Sequence, residues 1–535
     1  MTLAFAVLVS TSACDRGSVA REAPRIPASP PGSTASPSTA VAAPACGEGG
    51  GCETERPRYE FRDVTRRAGL TIRPTDTWGA LWADYDADGD PDLFVGRHEG
   101  PPDLLVNDGG SYSRLDVDFT DPRGYDPIDE ESGVDRHTCA WGEADGDGTV
   151  DLYCAIGANR GAGFGPDQLL VLDGLEVRDV ATELGVVDEY GRTKSVSWLD
   201  HDGDGDLDLF VGNALRLDRR APNLLFERTP SGFTRAESGL EDELVTMSSP
   251  WADWDVDGDP DMLILQYPSS SEPAVAYENV DGSYRETALP NVSGGPWHAG
   301  AWGDYDGNGR PDLALVSIGE LSILRNTRAG LEPAFQTPLD KGQMAVWFDA
   351  ENDGDLDLFV VQGAPPPMES VGANLPDFLV LQGRAGFRRV DMPSVRGPSD
   401  GCGDSVAAAD HNRDGRVDLF VTNGAEGGCR GIDVLLENRS TGGNWVAIDL
   451  DGGPDNPWGF GARIRVRAGH LTYWRQLTDG VNFRSQSEVG HQVLGIGPAL
   501  SADVRLLWPD GTADCVEIPA GTTSRVAKGT SPCAP

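Results

Sequence analysis

Short apolar runs separated by acidic turns dominate this chain. Gly79-Ala80-Leu81-Trp82-Ala83 leads into an acidic loop, and Leu93-Phe94-Val95-Gly96 leaves it. A third run follows in each unit, as in Asn223-Leu224-Leu225-Phe226. A fourth is short and often aromatic-led, as in Phe233-Thr234-Arg235-Ala236. Short runs bounded by turn residues predict β-strands, and runs apolar throughout predict sheets covered on both faces. The unit recurs seven times, with acidic loops starting at 84, 143, 200, 253, 304, 349 and 410. Their spacing, 45 to 61 residues, suits the four-stranded blade of a propeller. The predicted fold is all-β: a seven-bladed β-propeller over 58–440 and a small β domain over 441–535. Tyr59 to Val64 reads as an outer strand without a blade of its own, predicted to complete the blade of the last loop. Trp82, Trp141, Trp198, Trp251, Trp302 and Trp347 each stand two residues before a loop, where packing between blades accounts for them.

The loops change the picture from architecture to chemistry. Their spacing is D-x-D-x-D-G-x-x-D, in which alternate residues converge as the loop wraps and Gly permits the sharp turn. Calcium takes six to eight oxygens in flexible geometry, and carboxylates with one carbonyl supply them. The expected ligands are Asp84, Asp86, Asp88, Asp90 and Asp92; Glu143, Asp145, Asp147, Thr149 and Asp151; and Asp200, Asp202, Asp204, Asp206 and Asp208. Next come Asp253, Asp255, Asp257, Asp259 and Asp261; Asp304, Asp306, Asn308, Arg310 and Asp312; Asp349, Glu351, Asp353, Asp355 and Asp357; and Asp410, Asn412, Asp414, Arg416 and Asp418. The seventh position of each loop gives its backbone carbonyl, since Arg310 and Arg416 occupy it in two of them. Without metal, each loop would hold its carboxylates in mutual repulsion. Up to seven structural calcium ions are expected. The loops at 304–312 and 410–418, each with one Asn among the side-chain ligands and an Arg nearby, are expected to release calcium first. His201 and His411 take non-ligand positions inside loops and are expected to be exposed.

The chain has 535 residues and a formal net charge of -43. Such acidity excludes nucleic-acid binding and electrostatic docking on anionic lipid, both of which need a basic face. Leu3 to Val9 is an apolar run followed by small residues and Cys14, the pattern of a signal peptide over 1–14. Residues 15–57 are rich in Pro, Ser, Ala and Gly and read as a flexible tether. Beyond Cys14, eight cysteines fall into neighbours along the chain: 46–52, 139–154, 402–429 and 515–533. An even set in an exported protein suggests disulfides. The pair 139–154 flanks an acidic loop almost symmetrically, so a hairpin there places both on adjacent strands.

These residues resemble known families. Ser10-Thr11-Ser12-Ala13-Cys14 resembles a bacterial lipobox, which implies lipidation of Cys14; Thr11 stands where Leu is usual, and a plain signal peptide is the alternative. The seven loops, each followed by a strand such as Asp208-Leu209-Phe210-Val211-Gly212-Asn213, resemble the FG-GAP/VCBS repeats of integrin-α-type propellers. Phe61-Arg62-Asp63-Val64-Thr65 with Ala68-Gly69-Leu70 is similar to the opening of the cartilage acidic protein family. Residues 444–519 resemble the ASPIC/UnbV domain, through Gly459-Phe460-Gly461-Ala462-Arg463-Ile464, the stretch Gly480 to Ser487, and Trp508-Pro509-Asp510-Gly511. The resemblance implies a calcium-dependent extracellular protein of adhesive or matrix type, and implies no reaction. In the C-terminal domain Arg463, Arg465, Arg467, Arg475, Arg484 and Arg505 are expected to face solvent or to pair with the acidic propeller.

No serine-hydrolase elbow, zinc-protease helix, dinucleotide fingerprint or P-loop occurs. The expectation is therefore a non-enzymatic binding, adhesion or scaffold protein at the cell envelope, lipid-anchored or secreted, with an unidentified protein or glycan ligand. Membrane contact is expected only through Cys14. The alternative is a calcium-dependent lyase or hydrolase acting on polysaccharide. A funnel of convergent His, Lys or Tyr beside one calcium would favour the enzyme.

Overall fold

A computed structural model describes residues 59–533, apart from 71–76, 98–100, 120–135, 158–164, 217, 267–272, 293–296, 364–375, 393–402, 425–431 and 483. The signal, tether and Cys14 readings lie outside the described residues, as do the pairs 46–52 and 402–429. The chain is almost entirely β-strand; the one helix among the described residues is the single turn Ala181–Leu184. No described helix is long and apolar enough to cross a membrane.

Among the described residues, seven antiparallel sheets carry the seven acidic loops. In each, the first strand enters the loop and the second leaves it, as Thr77–Ala83 and Asp92–Arg97 do around 84–91. Inner strands are buried from end to end: Arg136–Gly142, Thr193–Leu199 and Asp208–Asn213 show no exposed residue. Sheets stacked face to face leave neither side wet, so both alternating sets of side chains are apolar or locally hydrogen-bonded. The first strand of each sheet touches the first strand of the next. That of the last, Ser405–Ala409, returns to Thr77–Ala83. The sheets thus form a closed ring, which is the β-propeller.

The N-terminal strand Phe61–Asp63 pairs antiparallel with Val434–Asn438, as the outer strand of the last sheet. Phe61 is buried, and its ring meets Phe348 of the neighbouring sheet edge-on at 6.0 Å. Phe61→Ala removes a buried aromatic from the strand that closes this sheet. We expect it to cost about 3–5 kcal/mol, read as a lowered denaturation midpoint in urea. A midpoint shifted by less than about 1 kcal/mol would show that the ring closes without this strand.

Two further sheets follow. Asn444–Asp451 lies between His491–Gly497 and Thr523–Ala527, and Arg463–Ala468 lies between Leu471–Gln476 and Ser501–Leu507, with Ala513–Pro519 outermost. Their inward faces share one core containing Val446, Ile464, Leu494, Val504 and Ile518. Disulfides join Cys139 to Cys154 across two paired strands, and Cys515 to Cys533.

The segment 479–488 leaves this C-terminal domain and enters the ring. Its short hairpin, Val481–Asn482 with Ser485–Gln486, bonds to innermost strands around the channel. The Gln486 amide accepts from the Trp141 N–H at 2.7 Å and donates to the Trp141 carbonyl at 3.0 Å. Asp479 accepts from the Trp198 N–H at 3.0 Å, Ser485 from Ala80, and Ser487 from Ala408, while Asn482 donates to Ala345. A side chain on Gly79 would collide with the Arg484 carbonyl, so only glycine lets this hairpin approach. Arg484 pairs with Asp404 at 2.6 Å and covers the Trp78 ring at 3.9 Å. The stretch that resembled an ASPIC/UnbV signature is therefore a plug for the propeller channel.

Candidate metal centres

Each acidic loop is built by the same backbone pattern. Its first residue ends the innermost strand, and the side chain of that residue folds over the loop. Asp84 accepts the Asp88 and Gly89 N–H groups, each at 3.0 Å, and Asp410 accepts Asp414 and Gly415 in the same way. The ninth residue opens the next strand and is fully buried. Asp312 accepts the Tyr305 N–H at 2.9 Å with one oxygen and the Asn326 N–H at 2.6 Å with the other. The fifth residue bonds the seventh: Asp88 accepts from Asp90, Asp204 from Asp206, and Asn308 from Arg310.

Positions four and six are both left-handed in every loop. Position six is always Gly, as sequence reasoning required. Position four holds Gly in three loops, but Ala87, Val256, Asn352 and Arg413 in the others, at φ of 59°, 69°, 59° and 54°. A β-branched Val at positive φ is strained. The conformation is imposed at every loop whatever the side chain, and the three glycines at this position were the signal available for it.

Oxygens of the first, third and ninth residues converge in five loops. Asp84, Asp86 and Asp92 lie within 4.8 Å of one another, as do Glu143, Asp145 and Asp151, and Asp200, Asp202 and Asp208. Asp253, Asp255 and Asp261, and Asp304, Asp306 and Asp312, complete the set. The 304–312 loop, expected to be weak for its Asn308 and Arg310, thus assembles its acidic triad like the stronger loops. The third position is Asn412 in the 410–418 loop and the longer Glu351 in the 349–357 loop, and neither forms such a triad. The fifth-position carboxylates lie outside the triads, tied to the seventh-position N–H. At the seventh position, Asp90 and Asp259 turn outward to accept from Gly109 and Asp281. Five clusters can therefore hold a metal ion.

Burial drives the electrostatics. It raises Asp92 to about 7, Asp151, Asp208 and Asp312 to about 8, and Asp261 to about 9, with neighbouring carboxylates adding to the rise. Asp253, Asp304 and Asp410 rise to about 6, and Asp200 and Asp349 to about 7, again by burial first. One oxygen of Asp151 is buried with no hydrogen-bond partner. Each acidic triad is an all-oxygen donor set; in two of them an arginine already meets one carboxylate, Arg228 at Glu143 (3.1 Å) and Arg325 at Asp306 (2.5 Å).

Sequence reasoning missed how the loops are joined. Asn107, Asn279, Asn326 and Asn438 end the third strands of their sheets. Each offers its backbone N–H to the ninth-position Asp of its own loop. Each side-chain amide donates to the second-position carbonyl of the neighbouring loop: His411, His201, Trp254 and Ala350, respectively. The repeat of Asn at this register was the available signal. His201 and His411 correct a second expectation: they are 4% and 2% exposed, not surface residues. The second position points between sheets, where Tyr284 and Tyr112 of the adjoining sheet stack on them. Burial lowers both imidazoles, His411 to about 4.

Of the six tryptophans, Trp82, Trp141, Trp198 and Trp251 are buried as expected between sheets, whereas Trp302 and Trp347 remain partly open. Three of the six C-terminal arginines reach the propeller, two of them through loop carbonyls. Arg463 donates to Gly309 at 2.7 Å, Arg475 to Asp304 and Gly354, and Arg484 pairs with Asp404. His137 and Lys194 do converge at one channel mouth, with Lys194 Nζ 2.9 Å from His137 Nε2 and His137 stacked on Trp78. They stand at the starts of the innermost strands, however, and the acidic loops stand at the ends of those strands.

Two family models match parts of the chain. Residues 253–315 match an FG-GAP-like repeat, and residues 452–531 match the ASPIC and UnbV domain. No curated protein sequence matches the chain. Among solved structures, the chain is similar to BBS1N in complex with ARL6DN, soaked with lead, at 8% identity and a TM-score of 0.42. The match covers 69% of this chain and 97% of that one. The mercury-soaked form of that complex gives 9% identity and a TM-score of 0.43, over 72% and 99%.

Proposed function

We propose that this protein is an exported, calcium-binding β-propeller that serves as a binding or scaffold protein at the cell envelope and is not an enzyme. The observation that carries the reading is the convergence of three carboxylates in each of five loops of one backbone geometry. Hard, flexible all-oxygen sets of this kind suit calcium better than magnesium, which demands tight octahedral coordination and keeps its water. Asp84, Asp86 and Asp92 and their counterparts would hold the ions, with the seventh-position carbonyls completing each set. The disulfides Cys139–Cys154 and Cys515–Cys533 support an oxidising compartment. The channel-mouth cations support binding over catalysis, since Lys194 is engaged with His137 and Arg484 with Asp404.

Calorimetric titration of the chelator-treated, dialysed chain tests this. Several calcium ions should bind per chain, with magnesium at the same concentration giving a far weaker signal. Asp208→Asn, at a loop with a full acidic triad, should remove one calcium from the stoichiometry. A chain that takes up no calcium would overturn the reading.

A further inference from the structure

A pocket of about 230 Å³ lies between the C-terminal domain and the ring, and a second of about 150 Å³ shares seven of its lining residues. Both are walled by Trp302 and Trp347 on one side, and by Arg475, Gln476 and Gln492 on the other. Trp474 closes the smaller one. From these walls we infer a binding site for a neutral saccharide, which rests on the binding-protein reading and names its ligand class.

The argument begins with the tryptophans. Their equivalents in four other sheets are sealed between neighbours, so the repeat itself does not call for an open indole. Here both rings are buttressed from behind: Trp302 lies against Trp254 at 5.6 Å, and Trp347 stacks on Tyr305 at 6.1 Å. Both indole N–H groups are spent on backbone carbonyls, Trp302 on Pro250 and Trp347 on Ala301. What these residues turn to the pocket is rigid carbon surface, the complement of the C–H face of a sugar ring.

The opposite wall supplies in-plane hydrogen bonding. Gln476 has no side-chain hydrogen-bond partner among the described residues, so its amide offers both donors and acceptor. Gln492 spends its NH₂ on Val489 and neighbouring carbonyls and keeps its oxygen. Arg475 is held by the Asp304 and Trp474 carbonyls, which fixes its guanidinium beside the ring walls. An apolar wall facing a few fixed polar groups is the usual composition of a small-molecule site.

The charges select among ligands. Asp349 and Asp410 line the larger pocket and disfavour phosphate, sulfate or uronate, while Glu488 beside them is paired with Arg413 at 2.6 Å. The arginines at the walls are held in place by the protein: Arg475 by loop carbonyls, and Arg463 by Gly309 and the Trp474 face. A fully apolar ligand would strand the Gln476 amide. A neutral polyol with one hydrophobic face satisfies both walls.

The test uses the calcium-loaded full chain on an array of neutral oligosaccharides of hexose and N-acetylhexosamine units, with uronate and sulfate analogues beside them. Neutral members should bind, and Trp347→Ala and Gln476→Ala should each weaken the best of them by tenfold or more. Gln476→Ala is partly exposed and lies outside the packed core, so it should leave the melting temperature and calcium stoichiometry unchanged. That control separates this proposal from the calcium reading, which can hold while this one fails. Binding confined to acidic members, binding indifferent to Gln476→Ala, or no binding by a chain that takes up calcium normally would each overturn the site.

Discussion

Stripping divalent cations from the mature chain should lower its melting temperature by about 10 °C or more. A ligand at a hundredfold excess over its Kd contributes about 2.7 kcal/mol per site, so five occupied loops reach on the order of 10 kcal/mol. The loops are also stitched together. The asparagines that link four of the ninth-position Asp residues to the adjoining loops pass a local loosening to the next sheet, so the loss should be cooperative and not confined to single hairpins.

The acidity of the loops adds a sign to this experiment. The buried carboxylates have folded-state values raised to between about 6 and 9, above an unfolded value near 4. A raised carboxylate favours the fold while protonated, so this contribution is complete below about pH 4 and is lost as pH climbs through 6 to 9. The metal-free chain should therefore melt higher at pH 5 than at pH 8. On the calcium reading proposed above, the ion takes the place of those protons, so the gap between loaded and stripped protein should widen with pH. Melting curves at the two pH values, with and without calcium, measure both effects. An unchanged melt on chelation, or a stripped chain more stable at pH 8, would remove calcium as the stabiliser of the ring.

The second large effect belongs to the plug. In Asp479→Leu with Gln486→Leu, apolar side chains of similar length replace groups that serve three buried backbone atoms: the Trp141 N–H and carbonyl and the Trp198 N–H. Each orphaned group costs about 1–3 kcal/mol, so the double variant should lose on the order of 5 kcal/mol. The hairpin should also become more open to proteolytic cleavage, since it keeps only the contacts of Asn482, Arg484, Ser485 and Ser487 inside the channel. If the double variant melts like the parent and resists protease, the plug rests in the channel without holding it.

Much of this was legible because the repeat constrains both sequence and shape. Seven loops in register announce seven hairpins, and unbroken apolar runs announce strands buried on both faces. The pairing of Phe61–Asp63 with Val434–Asn438 followed from a missing fourth strand and an extra one. Cys139 and Cys154 followed from symmetry about their loop. What stayed hidden depends on contacts between repeats. His201 and His411 look like polar loop residues until a tyrosine from the adjoining sheet covers them. Asn107 and its counterparts look like strand ends until their amides cross to another loop. The Gly480–Ser487 stretch carries few apolar residues, so no periodicity reveals that it is threaded through the ring. The opening of Trp302 and Trp347 likewise comes from where the C-terminal domain sits, which the repeat does not encode.

The clasp between the first strand and the last sheet also sets a clock. Glu60 meets Ser440 across 380 residues of chain, and at ribosomal speeds of 5–20 residues per second that interval is roughly 20–80 s. Until it ends, the first strand has no mate, and the plug, made later still, has no ring to enter. A nascent chain in this condition stays open, as the export proposed above would require. Its final circle can form only after the chain has been made as far as Ser440.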